Sequence, residues 1–296
     1  MLFRAAVPLC LRKTFVYPPI AFCRRVFQSL SDRTEPARLR LISLFSGFRL
    51  SSENLCSQAV GKISPEWEVR IANVCACPDN NYLPRHPEAG SLHGPTLTMH
   101  NGLRVYALSY YGECILNMLM ANRGVHEPQE ERAFMEILPH IPEGGVILEL
   151  GAYWGFYSMW FVSTVPRARC FLVEPDPRNL RAGKANFRLN GLSGHFTCAA
   201  VGNPKSTGLK AVRMTDVPSF CAKHGIDRLN LLHSDIQGAE TDMLNGARNM
   251  LRERRIDYLF LSTHGQIQHD GCLALLRSEG YVVLCSADMD ETYSVD

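Results

Sequence analysis

The 296-residue chain is 46% hydrophobic and 20% charged, the balance of a folded globular protein with room for one large domain and an appendage. Its formal net charge of +2 hides an asymmetry: residues 1–50 hold nine Lys/Arg against two Asp/Glu, and the remainder is net acidic, which argues against a nucleic-acid partner for the bulk of the chain. Eleven cysteines are scattered, several inside apolar runs such as those of Cys170, Cys198 and Cys285, so reduced thiols are expected and a disulfide scaffold is excluded.

In chain order, residues 1–50 form a basic N-terminal segment. Arg12, Lys13, Arg24 and Arg25 break its apolar stretches before any reaches the roughly 18 residues that a membrane span requires. Three readings stay open for it: a peripheral amphipathic segment at a membrane surface, a mitochondrial transit peptide, and a disordered arm. The cytoplasm is the expected location, with the membrane periphery or the mitochondrion as alternatives.

Residues 51–126 read as a connector and β-hairpin cap. Pro78-Asp-Asn-Asn81 and Pro84-Arg-His-Pro87 are turn formers, and Cys75-Ala-Cys77 lacks the second Cys/His pair of a zinc site. Thr96–Met99 and Leu103–Ala107 flank His100-Asn101-Gly102, and Asn-Gly between two β-prone runs predicts a hairpin.

Residues 127–296 form the third region. Glu127-Pro128 opens a helix to Leu138 with Phe134, Ile137 and Leu138 on one face, and Pro142-Glu-Gly-Gly145 stops it. Strands are then predicted at 146–150, 169–174, 195–201, 209–213, 229–234, 257–262 and 281–285. Helices fall between them at 155–164, 177–190, 217–224, 239–253 and 267–278. This alternation predicts an open, mostly parallel α/β sheet of Rossmann-like form with flanking helices, preceded by a small β-hairpin and helical region.

Candidate site residues gather where the strands end. Val146-Ile-Leu-Glu149-Leu-Gly151-Ala152-Tyr153-Trp154-Gly155 is an apolar strand passing into a glycine turn, but the first glycine of a dinucleotide fingerprint is missing and an acid stands nearby. A phosphate cradle is thereby disfavoured. S-adenosylmethionine, whose sulfonium and ammonium groups suit an acid, is the cofactor expected over NAD. Glu174 closes the next strand, where a carboxylate accepts from ribose hydroxyls. Asp235 and His264 end two further strands and are the catalytic candidates, His264 by its intrinsic pKa and Asp235 as its orienting partner or as the base itself. No metal is assigned; the alternative is a divalent ion on Asp235, Glu240 and His264, against which Glu240 is expected to cap a helix or brace the strand. The aromatic run Tyr153, Trp154, Phe156, Tyr157 and Trp160 reads mainly as a helix packing on the sheet.

Glu149-Leu-Gly-Ala-Tyr-Trp-Gly155, Val173-Glu-Pro-Asp176, Ala199-Ala-Val-Gly202, Ser234-Asp-Ile-Gln-Gly-Ala-Glu240 and His264 together resemble the FkbM family of S-adenosylmethionine-dependent methyltransferases, within the class I Rossmann-like group. The resemblance implies methyl transfer to oxygen, on a sugar, a glycan or another small molecule. It implies a cofactor site of Glu149, Gly151, Ala152, Tyr153, Gly155, Glu174 and Asp235. The family carries an Asn where this chain has Tyr153. The fold it implies has a seventh, antiparallel strand beside the sixth, and with eleven residues left after Cys285 that strand is expected to be short or truncated. A non-catalytic S-adenosylmethionine-binding or scaffold protein and an RNA methyltransferase are the rival readings.

Overall fold

The computed structural model describes residues 2–5, 15–17, 63–202 and 213–287. Most of the basic segment 1–50 and most of the strand expected at 209–213 lie outside the described residues. Among those described, the residues of Met1–Pro18 and Glu136–Glu291 form one compact unit and those of Pro19–Met135 a second.

The first unit is built on an eight-stranded sheet. Its strands are β1 (Leu2–Ala5), β2 (Phe15–Tyr17), β6 (Val146–Leu150), β7 (Arg169–Glu174), β8 (His195–Cys198), β11 (Leu229–Ser234), β12 (Ile256–Leu261) and β13 (Tyr281–Ala287), in the order β2-β13-β1-β12-β11-β6-β7-β8. β8, β7, β6, β11 and β12 are mutually parallel. Every residue of β6 and β11 is buried, and because neighbouring side chains in a strand point to opposite faces, both faces of the sheet centre are covered. The crossover helices are α4 (Phe156–Thr164), α5 (Pro177–Leu189), α6 (Val217–Lys223), α7 (Glu240–Gly246), α8 (Arg248–Arg252) and α9 (Gln266–Ser278). One core brings together Leu148, Leu150, Phe171, Val173, Phe220, Leu232, Leu244, Leu259 and Leu276. The strand expected at 195–201 is divided, β9 (Ala200–Val201) leaving the large sheet to pair with β10 (Met214–Thr215). The helix expected over 239–253 is likewise two helices, α7 ending at Gly246, a residue that weakens a helix interior.

The resemblance led to an expectation that the antiparallel strand beside the sixth would be short or truncated at the C-terminal end. The structure fills that position from the other end of the chain. β1 runs antiparallel to both neighbours, with Leu2 opposite Phe260 on β12 and opposite Cys285 on β13. Leu2 is buried. Part of the supposed appendage is therefore a strand of the sheet, and β2 adds to the far edge by pairing parallel with β13.

The second unit holds the expected hairpin, β4 (Thr96–Thr98) and β5 (Arg104–Tyr106), widened to three strands by β3 (Leu92–His93). The turn is broader than two residues: the Met99 amide donates to the Leu103 carbonyl at 2.7 Å, and Asn101 Oδ1 accepts from the Leu103 amide at 3.2 Å. Two helices were not anticipated, α1 (Pro65–Ala76) and α2 (Glu113–Ala121); the expected helix from 128 is α3 (Pro128–Ile137).

Candidate methyl-transfer site

The expected site residues of the first unit converge at the carboxyl ends of β6, β7, β11 and β12, where ligands of open parallel sheets are held. Past β6 the chain turns sharply. Gly151 has φ +74°, its amide and that of Ala152 donate to the Val173 carbonyl at 2.9 and 3.1 Å, and Ala152 is buried. A Cβ on Gly151 would lie 1.8 Å from the Asp235 carbonyl oxygen, so the turn and the loop after β11 are in backbone contact and only glycine fits. Tyr153 adopts φ +39°, a region that a bulky residue enters only under strain. Gly155, with φ +73°, precedes α4 and backs onto Leu172 and Phe187.

The two strand-end acids have different duties. Glu149 was expected to face the cofactor, but its carboxylate is buried and Oε2 accepts from the Ser158 amide at 3.0 Å. The amides of a helix's first turn lack intrahelical partners and carry partial positive charge, so this carboxylate serves α4. Glu174 holds the turn itself. Its Oε2 accepts from the Tyr153 amide at 3.1 Å, while Oε1 accepts from the Asp176 amide at 2.8 Å and from Asn179 Nδ2 at 3.3 Å. Burial pushes the Glu174 carboxyl above its usual pKa range against the pull of these donors. A carboxylate offers about four acceptor positions, so Oε2 keeps capacity for a ligand hydroxyl. Trp154 is buried, stacked on Phe156 with centroids 5.3 Å apart, and belongs to the core.

Asp235 and His264 meet. His264 Nε2 lies 3.3 Å from Asp235 Oδ1, and His264 Nδ1 lies 3.4 Å from Glu240 Oε1, so one imidazole bridges two acids. Asp235 and His264 are half-buried and Glu240 is wholly buried. Glu240 stands at the first position of α7, where Oε1 accepts from the Ile236 and Gly238 amides at 3.1 and 3.3 Å. The expectation was a helix cap or a brace for the strand; Glu240 instead holds the amides of the loop after β11, and it faces His264 as well.

Two glutamines complete the arrangement. Gln237, at φ +56°, donates to Asp235 Oδ1 at 3.0 Å. Gln268, on α9, donates to the Gly238 carbonyl and accepts from the His264 amide at 3.3 Å, tying the loops after β11 and β12 together. Gln268 carries no local signal for this, since the contact spans thirty residues; His264 four positions earlier was the available hint. His233 is buried with its ring stacked on Tyr157 at 4.4 Å.

A model of the methyltransferase FkbM domain matches residues 201–283. The 2-O-methyltransferase NoeI of Sinorhizobium fredii (strain NBRC 101917 / NGR234) is 25% identical over 173 residues, covering 45% of this chain and 71% of the relative. Among solved structures, the precorrin-6y C5,15-methyltransferase of Geobacter metallireducens GS-15 overlaps 53% of this chain and 74% of its own at 14% identity and a TM-score of 0.37. A SAM-dependent methyltransferase of Agrobacterium tumefaciens overlaps 52% of each chain at 13% identity and 0.36. Overlaps this slight carry no weight for the fold, which stands on its own strand order. The FkbM match spans Asp235, Glu240 and His264, so it is the segment carrying these three residues that is similar to the methyltransferase FkbM domain.

Proposed function

We propose that the chain binds S-adenosylmethionine at the Gly151–Gly155 turn and methylates a hydroxyl of a sugar, a glycan or another small molecule. The observation that carries the reading is the Asp235–His264–Glu240 cluster standing beside a glycine turn whose backbone touches the Asp235 carbonyl. The turn suits this cofactor: Glu174 retains an acceptor position for a ribose hydroxyl, and Gly151, Ala152, Tyr153 and Gly155 present backbone rather than bulky charge. When bound, S-adenosylmethionine supplies an electrophilic methyl group. Glu149 acts indirectly, by fixing the start of α4 behind the turn.

The residues at the acceptor are Asp235 and His264. An alcohol is a poor nucleophile while it keeps its proton, and the imidazole offers that proton a destination. The carboxylates of Asp235 and Glu240 stand on either side of this imidazole. Gln237 and Gln268 hold Asp235 and the His264 backbone in place, which aligns the acceptor oxygen for in-line attack. The Sinorhizobium relative is named a 2-O-methyltransferase, which supports oxygen as the atom methylated. Among the described residues no helix is long and apolar enough to cross a membrane, and the eight described cysteines are free, which suits a reducing compartment such as the cytoplasm. Contact of residues 1–50 with a membrane surface stands as a separate proposal resting on their basic charge.

Calorimetry with S-adenosylmethionine, followed by transfer of labelled methyl to a panel of sugar hydroxyls, tests the reading. Glu174→Ala is expected to weaken cofactor binding. His264→Ala is expected to bind cofactor normally and lose about 10² to 10⁴ in turnover, and Asp235→Ala to lose turnover and also to weaken cofactor binding. Cofactor binding with no transfer to any acceptor would favour a non-catalytic binder, and failure to bind would remove the proposal.

A further inference from the structure

We propose that Asp235, Glu240 and His264 form a site for a hard divalent cation of the Mg2+ or Mn2+ class. Each of the three offers one ligand atom, and these atoms all lie within 4.8 Å of one another. Ligands about 2.1 Å from a six-coordinate ion are separated by roughly 3 to 4.2 Å, so the side chains need only close slightly. Two carboxylates and one imidazole make an oxygen-rich donor set of the kind that such ions take.

A second observation points to a ligand. Glu240 is 0% exposed, and while Oε1 takes the Ile236 and Gly238 amides, the buried Oε2 has no hydrogen-bond partner among the described residues. Neither Lys nor Arg pairs with Glu240 among these residues, and its ion pair there is with His264. A buried carboxylate oxygen without a donor is costly, and a cation satisfies it directly. Three protein ligands leave positions open on a six-coordinate ion, which an acceptor hydroxyl and water can fill.

The catalytic use of the ion rests on the function proposed above, whereas its binding does not. With the ion in place the cluster acts as a ligand set. An alcohol coordinated to it loses its proton to solvent, and the resulting oxyanion is held by the ion's charge. Without the ion, the His264 lone pair takes the proton itself. Cation and proton thus compete for the same side chains, so binding the ion releases protons.

The probe is Mn2+ added to the full-length chain after chelator treatment, followed through the paramagnetic resonance signal of the free ion. The expected result is one bound Mn2+ per chain, with affinity reduced at least tenfold in Glu240→Gln and Asp235→Asn. Because Glu240 also braces its loop, Asp235→Asn decides if Glu240→Gln does not fold. An undiminished free-ion signal up to millimolar Mn2+, or equal binding by wild type and Asp235→Asn, would overturn the site. S-adenosylmethionine binding measured in chelator separates the two proposals: cofactor bound and Mn2+ not bound removes this site alone, and Mn2+ bound without cofactor upholds it while removing the methyl-transfer reading.

Discussion

Gly151 and Tyr153 show how one turn can be both obligatory and strained. At Gly151 the conflict is with backbone, since a Cβ would sit 1.8 Å from the Asp235 carbonyl oxygen at a φ of +74°. Gly151→Ala is therefore expected to destabilise the chain by at least about 2 kcal/mol, read as a lower urea midpoint, and to displace Asp235. At Tyr153 the backbone itself, at φ +39°, favours Gly or Asn. Tyr153→Asn is expected to stabilise by about 1 kcal/mol in thermal denaturation without weakening cofactor binding; a loss of affinity would show that the phenol ring contacts the cofactor. The glycine turn and its acids were legible in the sequence because apolar strands end there abruptly. The grouping of Glu240 with Asp235 and His264 was weighed only as a metal alternative, and the Gln268 tie that draws the two loops together across thirty residues was not legible at all.

Elements differ in how plainly they announce themselves. β6, β7, β11 and β12 were legible because buried parallel strands are nearly unbroken apolar runs. α1 was hidden among turn formers, with only Trp67 and Val74 buried, although Pro65 at its start and Glu66 and Glu68 in its first turn are a helix signature. α3 carries a device beyond periodicity. Glu131, wholly buried, lies 2.7 Å from His126 Nδ1 through Oε1 and 3.1 Å from His100 Nε2 through Oε2, and Glu127 Oε2 lies 3.1 Å from His126 Nε2. Burial disfavours charge on His126, but the Glu127 and Glu131 carboxylates outweigh it and raise its pKa to about 10. Burial likewise opposes charge on Glu131, yet His100 and His126 hold its carboxyl well below the ordinary range. The His126 contribution to stability is thus complete below pH 6.5 and lost as pH rises through about 10; that of Glu131 is present above pH 4.5 and lost on acidification. Urea denaturation of wild type and His126→Gln is expected to show a gap of about 3 kcal/mol near pH 6 that shrinks toward pH 10. A gap independent of pH would mean that His126 acts through packing alone.

At the scale of the whole molecule, the chain closes its sheet with its own beginning. β1 separates β12 from β13 and hydrogen-bonds to both, so two strands more than 250 residues away depend on Leu2–Ala5 for their inner edges. No local pattern could announce this, because four residues have no readable period and the pairing lies in long-range contacts. Without this strand β12 and β13 would each present an open edge, and open edges are templates for association. Leu2 is the residue that tests the arrangement: it is 3% exposed and opposite both Phe260 and Cys285. Leu2→Asp forfeits the burial of an aliphatic side chain and places a charge inside the sheet, a combined loss of about 3 kcal/mol or more. For a unit of this size that corresponds to a fall in Tm of roughly 6 to 12 °C. Ile267→Asp is the control, since Ile267 is 90% exposed and its substitution should leave Tm within about 1 °C. If both variants melt with wild type, β1 is not a strand of the folded sheet in solution; if only Leu2→Asp melts early, the N-terminal strand is as much a part of the methyltransferase unit as the strands that carry its acids.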